Sequence, residues 1–137
     1  MRKYIALLLL LLTCFTLFAA CGNDDGPLPT DAEKLITKMN NKKYSVSTTR
    51  DEDIPVYMEE YGSAEGDVLV IVHADKKRTT DTLFYLGNFF YCKDEATAIA
   101  LKDIFLATEG ENYINFTAEQ KGCVAFFGTK QVWDSAN

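Results

Sequence analysis

Histidine is scarce in this sequence: His73 is the only one among 137 residues. Metal clusters and catalytic triads that rely on histidine need it beside further ligands or beside a nucleophile. His73 follows the apolar residues Val68 to Val72 near the end of the stretch from Asp67 to Ala74, so we expect it to be a hydrogen-bonded structural residue of a strand. The scarcity argues against both a histidine metal cluster and a histidine-based triad. The sequence predicts no metal site and no cofactor.

Positive charge is also in short supply. The chain has 14 lysines and arginines against 20 aspartates and glutamates. Proteins that bind nucleic acid need basic patches on their surface. The run from Lys76 to Arg78 is short and typical of a solvated turn. No nucleic-acid partner is therefore predicted.

Long apolar runs are lacking after the first 20 residues. Met1, Arg2 and Lys3 form a short cationic start, and the run from Tyr4 to Ala20 is uncharged and rich in leucine. This plan is typical of a secretory signal peptide. The run is also at the lower limit of length for a helix that crosses a bilayer, so an uncleaved transmembrane anchor is the alternative.

The residues that end this run favour cleavage. Ala19 and Ala20 are small, as a signal peptidase requires, and Cys21 follows them. The sequence from Phe18 to Cys21 resembles the lipobox of bacterial lipoproteins, with Phe18 where leucine is usual. The resemblance implies that signal peptidase II removes residues 1–20 and that the Cys21 thiol carries a diacylglyceryl group with palmitate-like chains. The mature chain would then be anchored on the extracytoplasmic face of the cell membrane.

A short linker separates this cysteine from the rest of the chain. Residues 21–30 contain two aspartates, two glycines and two prolines, which favour a flexible tether. Two acyl chains hold a protein stably on a membrane, whereas one holds it only marginally. Removal of residues 1–20 leaves 12 basic against 20 acidic residues, a formal charge of −8. The acyl chains, and not the protein surface, would therefore hold the chain on the membrane.

Hydrophobic periodicity predicts one domain over residues 31–137. The predicted order is helix, strand, short helix, strand, strand, helix, strand, strand, helix. This order implies an α+β domain of two layers, in which a mainly antiparallel sheet of about five strands has its helices packed on one face. In the longest helix the apolar side is expected to comprise Ala100, Leu101, Ile104, Phe105 and Ala107.

Local signals predict the ends of several elements. A capping box from Thr30 to Glu33 opens the first helix, Asp94 caps the longest helix, and Thr129 caps the last one. The pair Gly87-Asn88 predicts either a two-residue hairpin turn or a bulge within one strand. The bulge is favoured, because the legs of a hairpin would be only four or five residues long.

The C-terminal half resembles a second pattern. The segment "FFYCKDEATAIALKDIF", followed by "KGCVAFFGTKQVWDSA", is similar to small lipoproteins of Clostridia-like Gram-positive bacteria. In that pattern an aromatic strand runs into an Asp-Glu-x-x-Ala helix, and Gly-Thr ends the last strand. The resemblance covers Phe89 to Ala136, less than half of the mature chain. It implies structural features and no catalytic residue.

Two cysteines of the domain raise the question of a disulfide. Cys92 ends one predicted strand and Cys123 begins another. If these strands are antiparallel neighbours, their α-carbons fall within the roughly 4.4 to 6.8 Å that a disulfide needs. Disulfides form outside the cytoplasm. The alternative is that both are thiols and that they pack as small apolar residues.

Two classes of function fit these observations. The first is a membrane-anchored binding module, with a protein, a cell-wall component or a small ligand as partner. It would use the sheet face or the segment 51–66. The second is a small surface enzyme that uses carboxylates such as Glu59, Glu60 and Glu65. The single histidine and the small core favour the first class, and an open apolar sheet face would support it.

Lipidation is tested by replacing the predicted modified residue. Cys21→Ser should abolish labelling of the protein by a palmitate analogue in the native host, because the substitution removes the thiol that the acyl group needs. Cys14→Ser is the matched control, and we expect it to be labelled like the parent. Equal labelling of the parent and of Cys21→Ser would contradict the prediction.

Overall fold

The computed structural model describes residues 28–50, 53–58, 67–77, 84–108 and 115–137. Within these ranges the elements follow the predicted order. They are α1 (Thr30–Asn41), β1 (Ser45–Arg50), α2 (Asp53–Met58), β2 (Val68–Lys77), β3 (Phe84–Cys92), α3 (Glu95–Thr108), β4 (Phe116–Lys121), β5 (Val124–Thr129) and α4 (Lys130–Ala136). Cys21 and three predicted carboxylates, Glu59, Glu60 and Glu65, lie outside the described residues.

The five strands form one sheet in the order β1-β2-β3-β5-β4. Each neighbouring pair is antiparallel. The central strand is β3. Its neighbours β2 and β5 pair on their outer sides with the edge strands β1 and β4. The predicted α+β class and the antiparallel five-stranded sheet are confirmed.

The helices differ from the prediction in that they cover both faces of the sheet. On one side, here called the α1 face, α1 and α4 pack over Val70, Val72 and Phe126. On the other side, the α3 face, α2 and α3 pack over Ile71 and Phe90. Successive residues of a strand point to opposite faces. Because β2, β3 and β5 are apolar at successive positions, both faces need cover, and a two-layer arrangement would leave one of them in water.

The strand that contains Gly87 is continuous. Its register with β2 is unbroken from Phe84 to Tyr91, so it holds neither the predicted bulge nor a hairpin turn. The irregularity lies elsewhere, between Val68 and Val70 of β2. Gly87 serves close packing instead, because a Cβ there would lie 2.5 Å from Val132 Cγ1 and 2.7 Å from Phe126 Cε2. The glycine thus lets α4 approach the sheet.

The start of α1 is set by Pro29 and not by the predicted capping box. Pro29 occupies the cap position, and no side chain caps the helix. The Pro29 carbonyl accepts hydrogen bonds from the amides of Ala32 and Glu33, at 2.8 and 3.1 Å. Thr30 is therefore the first helical residue. Leu28 packs against the α1-face cluster, so the packed part of the chain extends at least to this residue.

The other two predicted caps have different outcomes. Asp94 caps α3 as predicted, since the Thr97 amide donates to Asp94 Oδ1 at 2.8 Å. Hydrogen bonds from the backbone and the side chain of Thr97 lower the pKa of the Asp94 carboxyl. Thr129 precedes α4 but makes no side-chain cap. Its hydroxyl instead donates to the Leu86 carbonyl at 3.2 Å, which ties β5 to β3.

Gly87→Ala should lower the free energy of unfolding by about 1 to 3 kcal/mol, because the added methyl group overpacks the contact between the sheet and α4. Urea unfolding of a fragment of residues 28–137 measures this change. The matched control is Gly122→Asn, at a turn with φ of 56° and nothing within 4 Å of a Cβ. Asparagine tolerates this backbone conformation. We expect little change for the control, and equal stability of Gly87→Ala and the parent would contradict the packing argument.

Candidate functional site

Helices α2 and α3 pack on part of the α3 face, and another part of this face carries side chains that are exposed to solvent. Helix α3 packs against β4, β5 and β3, whereas the six-residue α2 packs against β1 and β2. The side chains of Ile54 and Met58 in α2 are buried in the α3-face cluster, so this side of α2 serves core packing. Towards the ends of β2 and β3 at Lys77 and Phe84, large side chains on the same face reach solvent.

A row of polar side chains crosses three strands on this face. The register places Ser47 of β1 opposite His73 of β2, and His73 opposite Asn88 of β3. His73 Nδ1 lies 2.8 Å from Asn88 Oδ1. His73 Nε2 lies 2.7 Å from Thr49 Oγ1. Both ring nitrogens thus have hydrogen-bond partners, as predicted for a structural histidine.

The direction of these hydrogen bonds follows from the chemistry of the groups. The amide oxygen of Asn88 only accepts, so His73 Nδ1 carries the proton and donates to it. In the neutral ring Nε2 then accepts from the Thr49 hydroxyl. The ring orientation is fixed from both sides by neighbouring strands. Sequence reasoning identified His73 but neither partner, because the partners depend on how the strands pair.

Two large apolar side chains lie next to this row. Phe84 is 47% exposed and Leu86 is 44% exposed. They alternate with the partly buried Tyr85 and the buried Gly87, and they share the face of Asn88, opposite Lys77 and Asp75 of β2. Contiguous exposed apolar surface that is rimmed by polar residues marks interaction sites. We call the surface formed by Thr49, His73, Phe84, Leu86 and Asn88 the platform.

The platform combines hydrogen-bonding groups with apolar side chains. A hydroxyl, an imidazole and an amide oxygen follow one another, as in sites with an activated nucleophile. Such sites also need a cleft, and donors aimed at the developing oxyanion. In the described part of the chain the platform lies on a sheet face with exposed side chains, where the interior strands use their backbone amides in the ladder. Its groups can donate and accept hydrogen bonds beside an apolar surface.

The two cysteines of the domain are neighbours at the other end of the sheet. The Cys92 amide donates to the Cys123 carbonyl at 2.8 Å, which extends the pairing of β3 with β5. Residues in a hydrogen-bonded antiparallel pair have α-carbons about 5.5 Å apart, within the range for a disulfide. Both side chains are thiols in the structure. The disulfide itself stays a prediction.

The two thiols differ in their surroundings. Cys92 is buried in the α3-face cluster, and this burial raises the pKa of its thiol to about 12. Cys123 is partly exposed at the turn between β4 and β5. Because the thiolate is the reactive form, Cys92 reacts slowly at neutral pH.

In the reduced native protein, Cys123 should react with iodoacetamide at least about tenfold faster than Cys92, because burial protects Cys92 and suppresses its thiolate. Peptide mass measurement after timed alkylation gives both rates. Similar rates would contradict the burial of Cys92. Alkylation in urea without reductant tests the bond separately: a disulfide leaves both cysteines unlabelled, whereas two thiols are both labelled.

Comparison with known proteins identifies no family for this chain and no function for the platform. No family model, curated protein or solved structure matches the chain. In the part of the chain that the structure describes, no helix is long and apolar enough to cross a membrane. Among those same residues, no group of three or more histidine, cysteine or acidic side chains is placed to hold a metal ion.

Proposed function

We propose that this protein is a lipid-anchored, extracytoplasmic binding module whose platform binds a protein partner. The anchor is Cys21, on the strength of the lipobox resemblance. The observation that carries the binding proposal is the exposure of Phe84 and Leu86 beside a hydrogen-bonded polar row. A cell-wall glycan is the alternative partner, and the experiment below distinguishes it.

The composition of the platform supports a protein as the partner. Cores of protein interfaces are enriched in aromatic residues and depleted of charge. The platform offers a phenylalanine, a leucine and three polar groups, and the charged Asp75 and Lys77 lie at its edge opposite Leu86 and Phe84. The acidic balance of the chain disfavours polyanions as ligands.

Preorganisation of the platform also favours binding. His73 is held through both ring nitrogens by Thr49 and Asn88. A side chain that is already ordered loses little rotamer entropy when a partner docks. The polar part of the platform therefore presents the same hydrogen-bonding pattern before and after binding.

The position of the tether leaves the platform accessible. Leu28 packs on the α1 face, and the Tyr91 hydroxyl donates to the Asp31 carbonyl at 3.2 Å. The chain therefore joins the domain on the face opposite the platform. The six residues 22–27 span at most about 20 Å when fully extended. A domain held from the α1 face directs the platform away from its point of attachment.

Leu86 is the position to test. A photo-crosslinking amino acid in place of Leu86, in the full-length protein in native membranes, should give a discrete adduct with a second protein. Phe84→Ala should weaken this association about tenfold, as truncation of an interface aromatic residue commonly does. The yield of adduct, measured by immunoblot and mass spectrometry, reports both effects.

The matched control places the same photo-crosslinking amino acid at Thr37, which is exposed on α1. Similar adducts from both positions, or none from position 86, would contradict the proposal. Co-sedimentation with purified cell wall, lost in Leu86→Ser and kept in Thr37→Ser, would identify a glycan partner in place of a protein.

A further inference from the structure

The outer side of α3 is a second surface with exposed apolar residues. The helix packs on the sheet through Ala98, Leu101 and Phe105. On the opposite side Ile99 is 42% exposed and Leu106 is 53% exposed. They are seven residues apart, so they lie two turns apart on one side of the helix.

The prediction for this helix was only partly right. Leu101 and Phe105 face the core as expected, but Ala100 and Ala107 are exposed. Ala98 occupies the core instead. The helix is apolar around much of its circumference. Ile99 and Leu106 are therefore exposed apolar residues on the side away from the sheet.

A charged pair lies between the two exposed apolar residues. Lys102 Nζ is 3.6 Å from Asp103 Oδ1, with side-chain exposures of 30% and 65%. Along the helix the order is therefore apolar, basic, acidic, apolar. We call Ile99, Lys102, Asp103 and Leu106 the α3 stripe.

The α3 stripe is complementary to a second copy of itself that runs in the opposite direction. Two copies of α3 packed antiparallel about a two-fold axis between residues 102 and 103 bring Ile99 of each copy next to Leu106 of the other. The same axis brings each Lys102 next to the other copy's Asp103. Symmetric dimers use the same surface on both subunits, so the surface must match itself in this way.

We propose that a second copy of this chain docks on the α3 stripe and forms an antiparallel α3–α3 dimer. Ile99 and Leu106 supply the apolar contact, and Lys102 and Asp103 fix the antiparallel alignment. Ala100 and Ala107 are exposed beside the stripe, and their small side chains let the helix axes approach to about 8 to 10 Å, the usual distance between packed helices. The inference goes beyond the proposed function, because it uses no residue of the platform.

Charge favours a second copy over a membrane surface as the occupant. Lys102 is the only basic residue between Glu95 and Thr108, and Asp94 and Glu95 stand at the start of the helix. Helices that lie on anionic membranes have basic polar sides. The stripe offers one lysine paired with one carboxylate, which matches an identical stripe.

The dimer is tested by crosslinking in membranes that contain the full-length chain. Ala100→Cys in a Cys123→Ser background should give a dimer with a bismaleimide about 10 Å long, because residues near the axis approach each other across packed helices. Thr37→Cys in the same background is the matched control and should give none. Leu106→Glu should reduce the dimer to the level of this control, because it places a carboxylate against Ile99 of the other copy.

A charge exchange separates the interface from a loss of folding. With Ala100→Cys present, Lys102→Asp should lower the dimer yield at least about fivefold, because like charges then meet across the axis. Adding Asp103→Lys to that variant should restore the yield, since the exchanged pair is again self-complementary. Failure of the exchange to restore it, a yield unchanged by Leu106→Glu, or adducts with other proteins only would overturn the proposal.

Discussion

Two pairs of adjacent phenylalanines determine the architecture of this domain. Phe89 and Phe90 of β3 point to opposite faces of the sheet, as do Phe126 and Phe127 of β5. On one face Phe89 and Phe126 pack with ring centroids 4.8 Å apart. On the other face Phe105 of α3 lies 4.9 Å from Phe90 and 5.2 Å from Phe127. Successive side chains along a strand point to opposite faces of the sheet, so both faces of this sheet carry phenylalanines. The sheet is therefore stable only between two helical layers that cover these side chains.

The order of elements followed from periodicity and local signals, because these depend on residues close in the chain. The Asp94 cap was predicted for the same reason. The second helical layer was not, since periodicity identifies the sides of a strand but not the helix that covers each side. Gly87 was also misread. A glycine in a strand suggests a bulge, whereas here its reason is the distant Val132.

The candidate site was predictable only in part. The hydrogen-bonded role of His73 followed from its position in an apolar run. Its partners Thr49 and Asn88 come from strands 24 and 15 residues away in sequence, and strand register decides that they meet. The exposure of Phe84 and Leu86 depends on where α3 stops covering the sheet. A single sequence carries no local signal for that limit.

The side chains of Thr49, His73 and Asn88 join strands that are not neighbours in the sheet. Thr49 lies in β1 and Asn88 in β3, and β2 separates these two strands. The His73 ring, on β2, is hydrogen-bonded to both side chains at 2.7 and 2.8 Å. The edge strand β1 is therefore tied to the centre of the sheet through side chains as well as through its backbone pairing with β2. Loosening of this edge strand would disturb the platform directly, because Thr49 belongs to both.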